Sequence, residues 1–394
     1  MTTSPALREA ATLSNALMDW LLNAALPVWH THGIDRVHGG FHEKLGLKLE
    51  IEPFDRRTRV IARQVFCFAL AGRLGWDGPW MAAVNDGIDY FFAKAMTPDG
   101  AVRMVIHADG TPKDDTFNLY DHAFALFACA AAASVSDQRA AIAAKAVAIR
   151  DRLVAAYKHP ERGFEESAPR TLPLKANPHM HLFEACLAWE EIGGDAEWSH
   201  LADEIATLCL EKFLEPQQGW LREFFDGDWA PMPGEDGRIC EPGHQFEWAW
   251  LLTRWGTSRN RPDARAAAVR LADLGERYGV DGERNVAINT LLDDCSIVDA
   301  SARLWPQTER MKGHAALALT APDDAALQHH LRFMAAGARS LQGYLAVETP
   351  GLWRDRMEVD GSYRPEPAPA STFYHIILGI EEFKKAIKAL EART

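Results

Sequence analysis

The sequence predicts an all-α fold: a closed (α/α)6 barrel of six inner and six outer helices, with short β-hairpins in the loops, built as one catalytic-sized domain over residues 1–394. Three observations predict it. Glycines recur at Gly40, Gly100, Gly163, Gly219, Gly282 and Gly343, at intervals of 60, 63, 56, 63 and 61 residues. A fixed period of that size marks one supersecondary unit repeated along the chain. Between glycines, a stretch that is apolar nearly all round is followed by an amphipathic one. A single unmatched helix is left at each end, and pairing the two ends completes a sixth unit and a ring.

The elements follow in order. Residues 6–29, ending ALMDWLLNAALPVW, form the first helix and the outer partner of the last. Five inner-then-outer pairs come next: 57–75 with 79–95, 118–134 with 137–157, 178–192 with 195–213, 243–256 with 262–278, and 295–316 with 322–340. The stretch NLYDHAFALFACAAAAS is apolar on every face, as a buried helix is. In the next stretch Ile142, Ala146, Ile149 and Leu153 recur at helical spacing, while Arg139, Lys145, Arg150 and Arg152 take the other face, which is the pattern of a helix half in water. The last helix, 371–391, starts apolar like an inner one. Four of the glycines precede an aromatic residue (Phe41, Phe164, Trp220, Tyr344). Glycine suits the tight turn expected at each, and short β segments are expected after them, as in 100–112 and 219–233. An open solenoid is the alternative; matched ends favour closure.

Composition excludes several classes. Apolar residues make up 47% and charged residues 25%, ordinary for a soluble globular protein. A net charge of −13 argues against nucleic-acid and anionic-membrane surfaces. No apolar run reaches the roughly 18 residues that a membrane span needs, and the N-terminal MTTSPALREAATLSN lacks the apolar core of a signal peptide. Six scattered cysteines without a C-x-x-C read as free, mostly buried thiols in a reducing cytoplasm. Motifs for a nucleophilic serine, a zinc protease, a phosphate loop or a dinucleotide fold are absent; no cofactor and no metal are expected.

The polar residues of interest gather at the inner-helix starts. Arg63, Tyr120, His122, His181, His244, Arg303 and His375 lie 23, 20, 22, 18, 25, 21 and 32 residues after their glycines. In a closed barrel these positions meet at one mouth, where helix N-termini also point their positive dipole ends. Two segments stand out: in NPHMHLFEACLAW, His181 sits three residues before Glu184, and in EPGHQFEWAWLL, His244 sits three residues before Glu247. Residues i and i+3 share a helix face, so each histidine is expected beside its carboxylate, a pairing that suits proton transfer near neutral pH. A lone histidine at a helix start is more often structural; the equivalent placement of His181, His244 and His375 shifts the balance to function. His122 is read as structural. His179 cannot face the same way as His181 and is set aside. His107, His200, His329 and His330 are expected at the surface.

At these residues the chain resembles the N-acylglucosamine 2-epimerase superfamily, which also contains mannose isomerase, sulfoquinovose isomerase and cellobiose 2-epimerase. The resemblance rests on GGF (39–41), ARQVFCFA (62–69), YDHAFAL (120–126), NPHMHLFEA (177–185), EPGHQFEW (241–248), RLWPQTE (303–309) and STFYHI (371–376). It implies the same barrel and chemistry at the carbon beside a sugar carbonyl. Arg63 would contact the sugar oxygens at C1 and C2. His244, supported by Glu247, would open the ring, and His375 would carry a proton between C2 and C1 through a cis-enediol(ate); His181 completes the catalytic set. Tyr120, Asn177, Glu184, Trp305, Glu309 and Trp353 are expected to bind substrate, tryptophan faces packing well on sugar C–H surfaces. The implied reaction is interconversion of unphosphorylated D-mannose and D-fructose by a monomer or homodimer. A sugar 2-epimerase is the first alternative. A glycoside hydrolase using Glu184 and Glu247 and a non-catalytic sugar-binding protein are remoter ones.

Overall fold

Local chemistry sets the helix starts. Ser4, Asn118, Asp195 and Asp323 stand at N-caps, each side chain accepting a hydrogen bond from a backbone N–H of the first turn, which satisfies a donor with no partner inside the helix. Pro5, Pro242 and Pro262 open their helices at the first position, where a missing N–H is harmless. The structure is a computed structural model that describes residues 4–393; the outer bounds expected for the domain, 1 and 394, lie outside the described residues.

The resulting helices are α1 (Pro5–Trp20), which continues through π-turns to Gly33, α2 (Thr58–Arg73), α3 (Trp80–Lys94), α4 (Leu119–Val135), α5 (Arg139–Tyr157) and α6 (Ala176–Glu191). They are followed by α7 (Ala196–Leu208), α8 (Pro242–Ser258), α9 (Pro262–Tyr278), α10 (Trp305–Leu319), α11 (Asp324–Leu345) and α12 (Ala370–Glu391). The even-numbered helices form an inner ring in which α12 packs on α2, and α1 packs on α11 and α12. The ring is therefore closed, and the fold is an (α/α)6 barrel. Helix α4 is enclosed by α2, α6 and α5, so from Leu119 to Ala133 every residue but Tyr120 is buried. Helix α5 has water on one side and buries the expected stripe of Ile142, Ala146, Ile149 and Leu153. Each large aliphatic side chain so covered contributes about 1.5–3 kcal/mol.

Gly40, Gly100, Gly163 and Gly219 take the expected positive φ, at 71°, 85°, 75° and 88°. Two glycines of the series do not. Gly343 lies inside α11, and Gly282 is not among the positive-φ residues. Asn285 (φ 54°) and Gly351 (φ 95°) take the left-handed conformation in the last two units. The period there is longer: 285 − 219 and 351 − 285 are both 66. Asparagine tolerates this region better than most residues. At Gly351 a Cβ would also lie 2.6 Å from the Ala24 carbonyl oxygen, so only glycine fits.

The fifth inner helix starts at Trp305, not at 295. Residues between Thr290 and Arg303 form strands, turning at Cys295, whose φ is 71°. The polar D-D-C-S turn breaks the helix pattern, and Pro306 supplies the true start. A local hairpin is present in the 100–112 segment, where Val105–Ile106 pairs with Pro112–Asp114. Three ladders join successive units: Arg56–Arg57 with Val105–Ile106, Leu174–Lys175 with Phe224–Phe225, and Ala302–Arg303 with Arg356–Met357. Each runs directly into or just before an inner helix, which pins the helix N-termini around one mouth. Among the described residues no helix is long and apolar enough to cross a membrane. All six cysteines are free, five of them buried.

Candidate active site

The inner-helix N-termini surround a cavity of about 380 Å³, a size suited to a small molecule. Of the eleven residues expected at the site, eight line it: Arg63, Tyr120, Asn177, His181, His244, Glu247, Trp305 and His375. Glu184 and Glu309 lie one layer below the wall, 1% and 0% exposed. Trp353 does not line the cavity. It is wholly buried, stacked at 4.8 Å on Trp29 and 5.5 Å on Phe373, so it belongs to the layer between inner and outer helices.

Arg63 reaches the cavity from the first turns of α2. Its Nη2 donates to the Tyr120 hydroxyl at 2.6 Å and its Nη1 to the Ser371 carbonyl at 3.1 Å. The guanidinium lies over the Phe124 and Tyr374 rings, 4.1 and 5.1 Å from their centroids. No carboxylate among the described residues forms an ion pair with it. Its charge is held in place by neutral groups and stays available to an anionic oxygen in the cavity.

The three histidines share one arrangement: a carboxylate on Nδ1, with no described residue bonded to Nε2. His181 Nδ1 lies 3.2 Å from Glu184, as the spacing predicted, and the Tyr374 hydroxyl donates to the same Glu184 oxygen. Burial keeps His181 below its ordinary pKa. His244 corrects the expectation. Its Nδ1 is 2.9 Å from Glu223 and 3.6 Å from Glu241, and Glu247 is not its hydrogen-bond partner. The physical reason lies in the neighbours: α8 carries Glu241 three residues before its histidine where α6 carries Pro178, and the loop before α8 supplies Glu223. Burial opposes charge on His244, but these carboxylates outweigh it and push the pKa up to about 10. His375 Nδ1 lies 2.8 Å from Glu309. Burial, reinforced by the positive charges of Arg63 and Lys312, holds His375 well below the usual histidine range. Trp305 stands between the two, its ring 5.0 Å from His244 and 5.5 Å from His375. The cavity therefore pairs a cationic with a neutral imidazole, the pattern that separates a general acid from a general base.

Several participants escaped the sequence reading. Glu223 and Tyr374 are named above. Lys312 is fully buried, 2.6 Å from Glu309 and 3.7 Å from Glu247. Glu166 lines the cavity and is pushed up to about 7 by burial. One available signal was the repeat itself: Glu43, Glu166, Glu223 and Asp355 lie three or four residues after a left-handed turn glycine, and all are buried. Among the described residues two donor groups are close enough for a metal ion, His181–Glu184–Glu247 and Glu247–Glu309–His375, with ligand atoms within 4.8 Å of one another. An ion at the second would share its space with the Lys312 ammonium.

The remaining histidines divide as follows. His122 accepts from the Val102 N–H and donates to the Asn118 carbonyl, and His179 does the same with Phe164 and Lys175. Both are structural. His330, expected at the surface, is only 4% exposed and lies 3.1 Å from His314, because α11 turns that face onto α10.

A profile of the family described as N-acylglucosamine 2-epimerase (GlcNAc 2-epimerase) matches residues 39–379. The chain is 48% identical over 378 residues to a mannose-6-phosphate isomerase of Rhizobium meliloti (strain 1021), covering 95% of this chain and 97% of the relative. It is 28% identical over 279 residues to a D-mannose isomerase of Thermobifida fusca, covering 66% of each. The fold superposes on the structure of a cellobiose 2-epimerase from Spirochaeta thermophila DSM 6192 with a TM-score of 0.86 at 21% identity, over 99% of this chain and all of that one. The chain belongs to the N-acylglucosamine 2-epimerase family and is an enzyme of the sugar isomerase/epimerase class.

Proposed function

We propose that this enzyme is an aldose–ketose isomerase that interconverts free D-mannose and D-fructose. The observation that carries the reading is geometric: His244 and His375 line one cavity, each with Nε2 unbonded among the described residues. His244 Nδ1 lies against Glu223 and Glu241, and His375 Nδ1 against Glu309. These surroundings favour the cationic form of the first and the neutral form of the second. His244, its cationic form favoured by Glu223 and Glu241, gives its proton to the ring oxygen as the C1–O5 bond breaks, and the C1 hydroxyl returns its own proton to His244 as the aldehyde forms. Neutral His375 removes the C2 proton of the open chain. Arg63, with no carboxylate ion-paired to it among the described residues, stabilises the enediolate oxygen. Transfer of the O2 hydroxyl proton to O1, and return of the carbon proton from His375 to C1 on the same side, yield the ketose.

Epimerisation asks more of the site: a second group must donate on the opposite face of C2 and act as the base in the reverse direction. A histidine held as a cation up to about pH 10 is a poor base, which favours the one-base reaction. The hydrolase pair expected from the sequence, Glu184 with Glu247, is not presented to the substrate, because Glu184 does not line the cavity.

Mannose is the aldose in the names of both relatives above; they differ in the phosphate. Of the cations at the mouth, Arg57 pairs with Glu43, Arg59 with Asp121 and Arg303 with Asp355, leaving Lys175 and the enediolate-binding Arg63 without an ion pair among the described residues. That favours the free sugar. The reading includes no cofactor and places the enzyme in the cytoplasm, as a monomer or homodimer, the free thiols being in keeping with a reducing compartment.

Proton NMR in D2O tests it, with D-mannose, D-mannose 6-phosphate, glucose, N-acetylglucosamine and cellobiose in separate tubes. Fructose from mannose, with deuterium entering at C1, is the expected result. Turnover of the phosphate ester alone would move the substrate class, and a C2 epimer without ketose would replace the reaction. His244→Ala and His375→Ala should each abolish turnover with the circular dichroism spectrum unchanged; retained activity in both would sink the assignment.

A further inference from the structure

At and beneath the cavity floor lies a buried charge system that the reaction above does not use directly: Glu247 lines the cavity, and Glu184, Glu309 and Lys312 do not. Glu184, Glu247 and Glu309 are each 1% exposed or less, and Lys312 is 0% exposed. Glu247 belongs to both close-packed donor groups, with Glu184 and with Glu309. Carboxylates this near to one another in a dry volume do not all ionise unless a cation intervenes. Lys312 is that cation. Its ammonium lies 2.6 Å from Glu309 Oε2, 3.7 Å from Glu247 Oε1 and 3.9 Å from the Trp250 ring centroid. The other groups facing this volume are His181, His375 and the Tyr374 hydroxyl, which is committed to Glu184.

Glu309 is the branch point. One oxygen faces Lys312 and the other lies 2.8 Å from His375 Nδ1. Two proton arrangements satisfy that contact. With Glu309 ionised, His375 Nδ1–H donates to it and Nε2 keeps a free lone pair. With Glu309 protonated, its O–H donates to Nδ1, and the neutral ring must carry its proton on Nε2. Only the first leaves His375 a base on its unbonded side.

We propose that Lys312 is a positioning residue that fixes the tautomer of His375: by holding Glu309 ionised it keeps the imidazole proton on Nδ1 and the Nε2 lone pair free to take the substrate's C2 proton. Burial and the Glu247 charge push the Glu309 carboxyl well above the ordinary carboxylate range, and the Lys312 ammonium, 2.6 Å from Glu309 Oε2, is the charge placed to oppose them. Lysine suits the task because a compact ammonium can sit between two carboxylates without needing room for a planar fork. The catalytic consequence rests on the isomerase reading; the tautomer does not.

Long-range proton–nitrogen NMR of the 15N-histidine-labelled enzyme, assigned with His375→Gln, reads the tautomer without any substrate. The wild-type ring should be protonated on Nδ1. In Lys312→Gln it should switch to Nε2–H, with kcat falling about 100-fold, the scale of a lost general base, and KM changing less than about threefold. Lys312→Arg, which restores the charge, should recover the Nδ1–H form and part of kcat. A wild-type His375 protonated on Nε2 overturns the proposal without recourse to any variant. A folded Lys312→Gln that keeps the Nδ1–H form or the wild-type kcat overturns it too. A wild-type enzyme that leaves every sugar unchanged refutes the isomerase reading, while the tautomer measurement still decides the role of Lys312.

Discussion

Glu223 does more for His244 than the residue chosen from the helix periodicity. Its carboxylate and that of Glu241 keep the imidazole charged against burial. A histidine whose pKa is raised to about 10 stays an acid through neutral pH and is lost as pH climbs through that value. Glu223→Gln should therefore move the alkaline limb of kcat/KM down towards the ordinary histidine range, near 6.5; a limb that stays in place would show that Glu223 does not set the charge. The structural histidines make a second residue-scale point. In successive units the same post occupied by His122 and His179 is held by Gln245 and Gln307, which accept from the Leu221 and Ala287 N–H groups and donate to the carbonyls of Glu241 and Arg303. An imidazole in one tautomer and a carboxamide offer the same acceptor and donor. His179→Gln should stay within about 1 kcal/mol of wild type in urea denaturation, whereas His179→Ala, which orphans buried backbone groups, should cost about 1–3 kcal/mol for each. The set-aside of His179 was legible in the sequence from its i, i+2 spacing to His181, which turns the two to different faces. Glu223 was not legible as a partner, because its approach to His244 spans a loop and not a helix turn.

At the scale of elements, the turn conformation persists where the glycine pattern does not. Gly282 and Gly343 keep the sequence period without doing the work of the turn, and Asn285 and Gly351 do it off the period. The distinction is measurable. Gly351→Ala places a side chain at φ 95° and against the Ala24 carbonyl, which should cost at least about 1–3 kcal/mol. Gly282→Ala meets nothing within 4 Å and should stay within about 0.5 kcal/mol. Thermal or chemical denaturation of the pair separates the two readings; equal effects would remove the distinction. The helix order and most helix limits were legible because the inner and outer environments impose different apolar patterns. The start of α10 was misplaced because the strands before it are short and, besides one local hairpin, pair with Ile239–Cys240 and Arg356–Met357, which lie far away in sequence.

Closure of the ring is the whole-molecule event on which the site depends. It brings α12 beside α2, so that Ser371 and Ala370 carbonyls accept from Arg63 and Gln64 across 308 and 306 residues. The same closure stacks Trp29 from the first helical run on Trp353 and Phe373 near the chain's end. Trp353→Ala should cost about 3–5 kcal/mol as a large core truncation, yet leave KM for the sugar unchanged in the folded fraction; a raised KM would return Trp353 to the substrate. The sequence by itself determined the barrel, its number of units and the gathering of Arg63, His181, His244 and His375 at one mouth, because periodicity and helix position are local properties that survive translation into space. Only the tertiary structure decided which carboxylate serves which histidine, that Trp353 stays in the core, and that Lys312 sits among the buried glutamates. Those are contacts between separate segments, fixed by packing distance and burial, and no spacing along the chain encodes them.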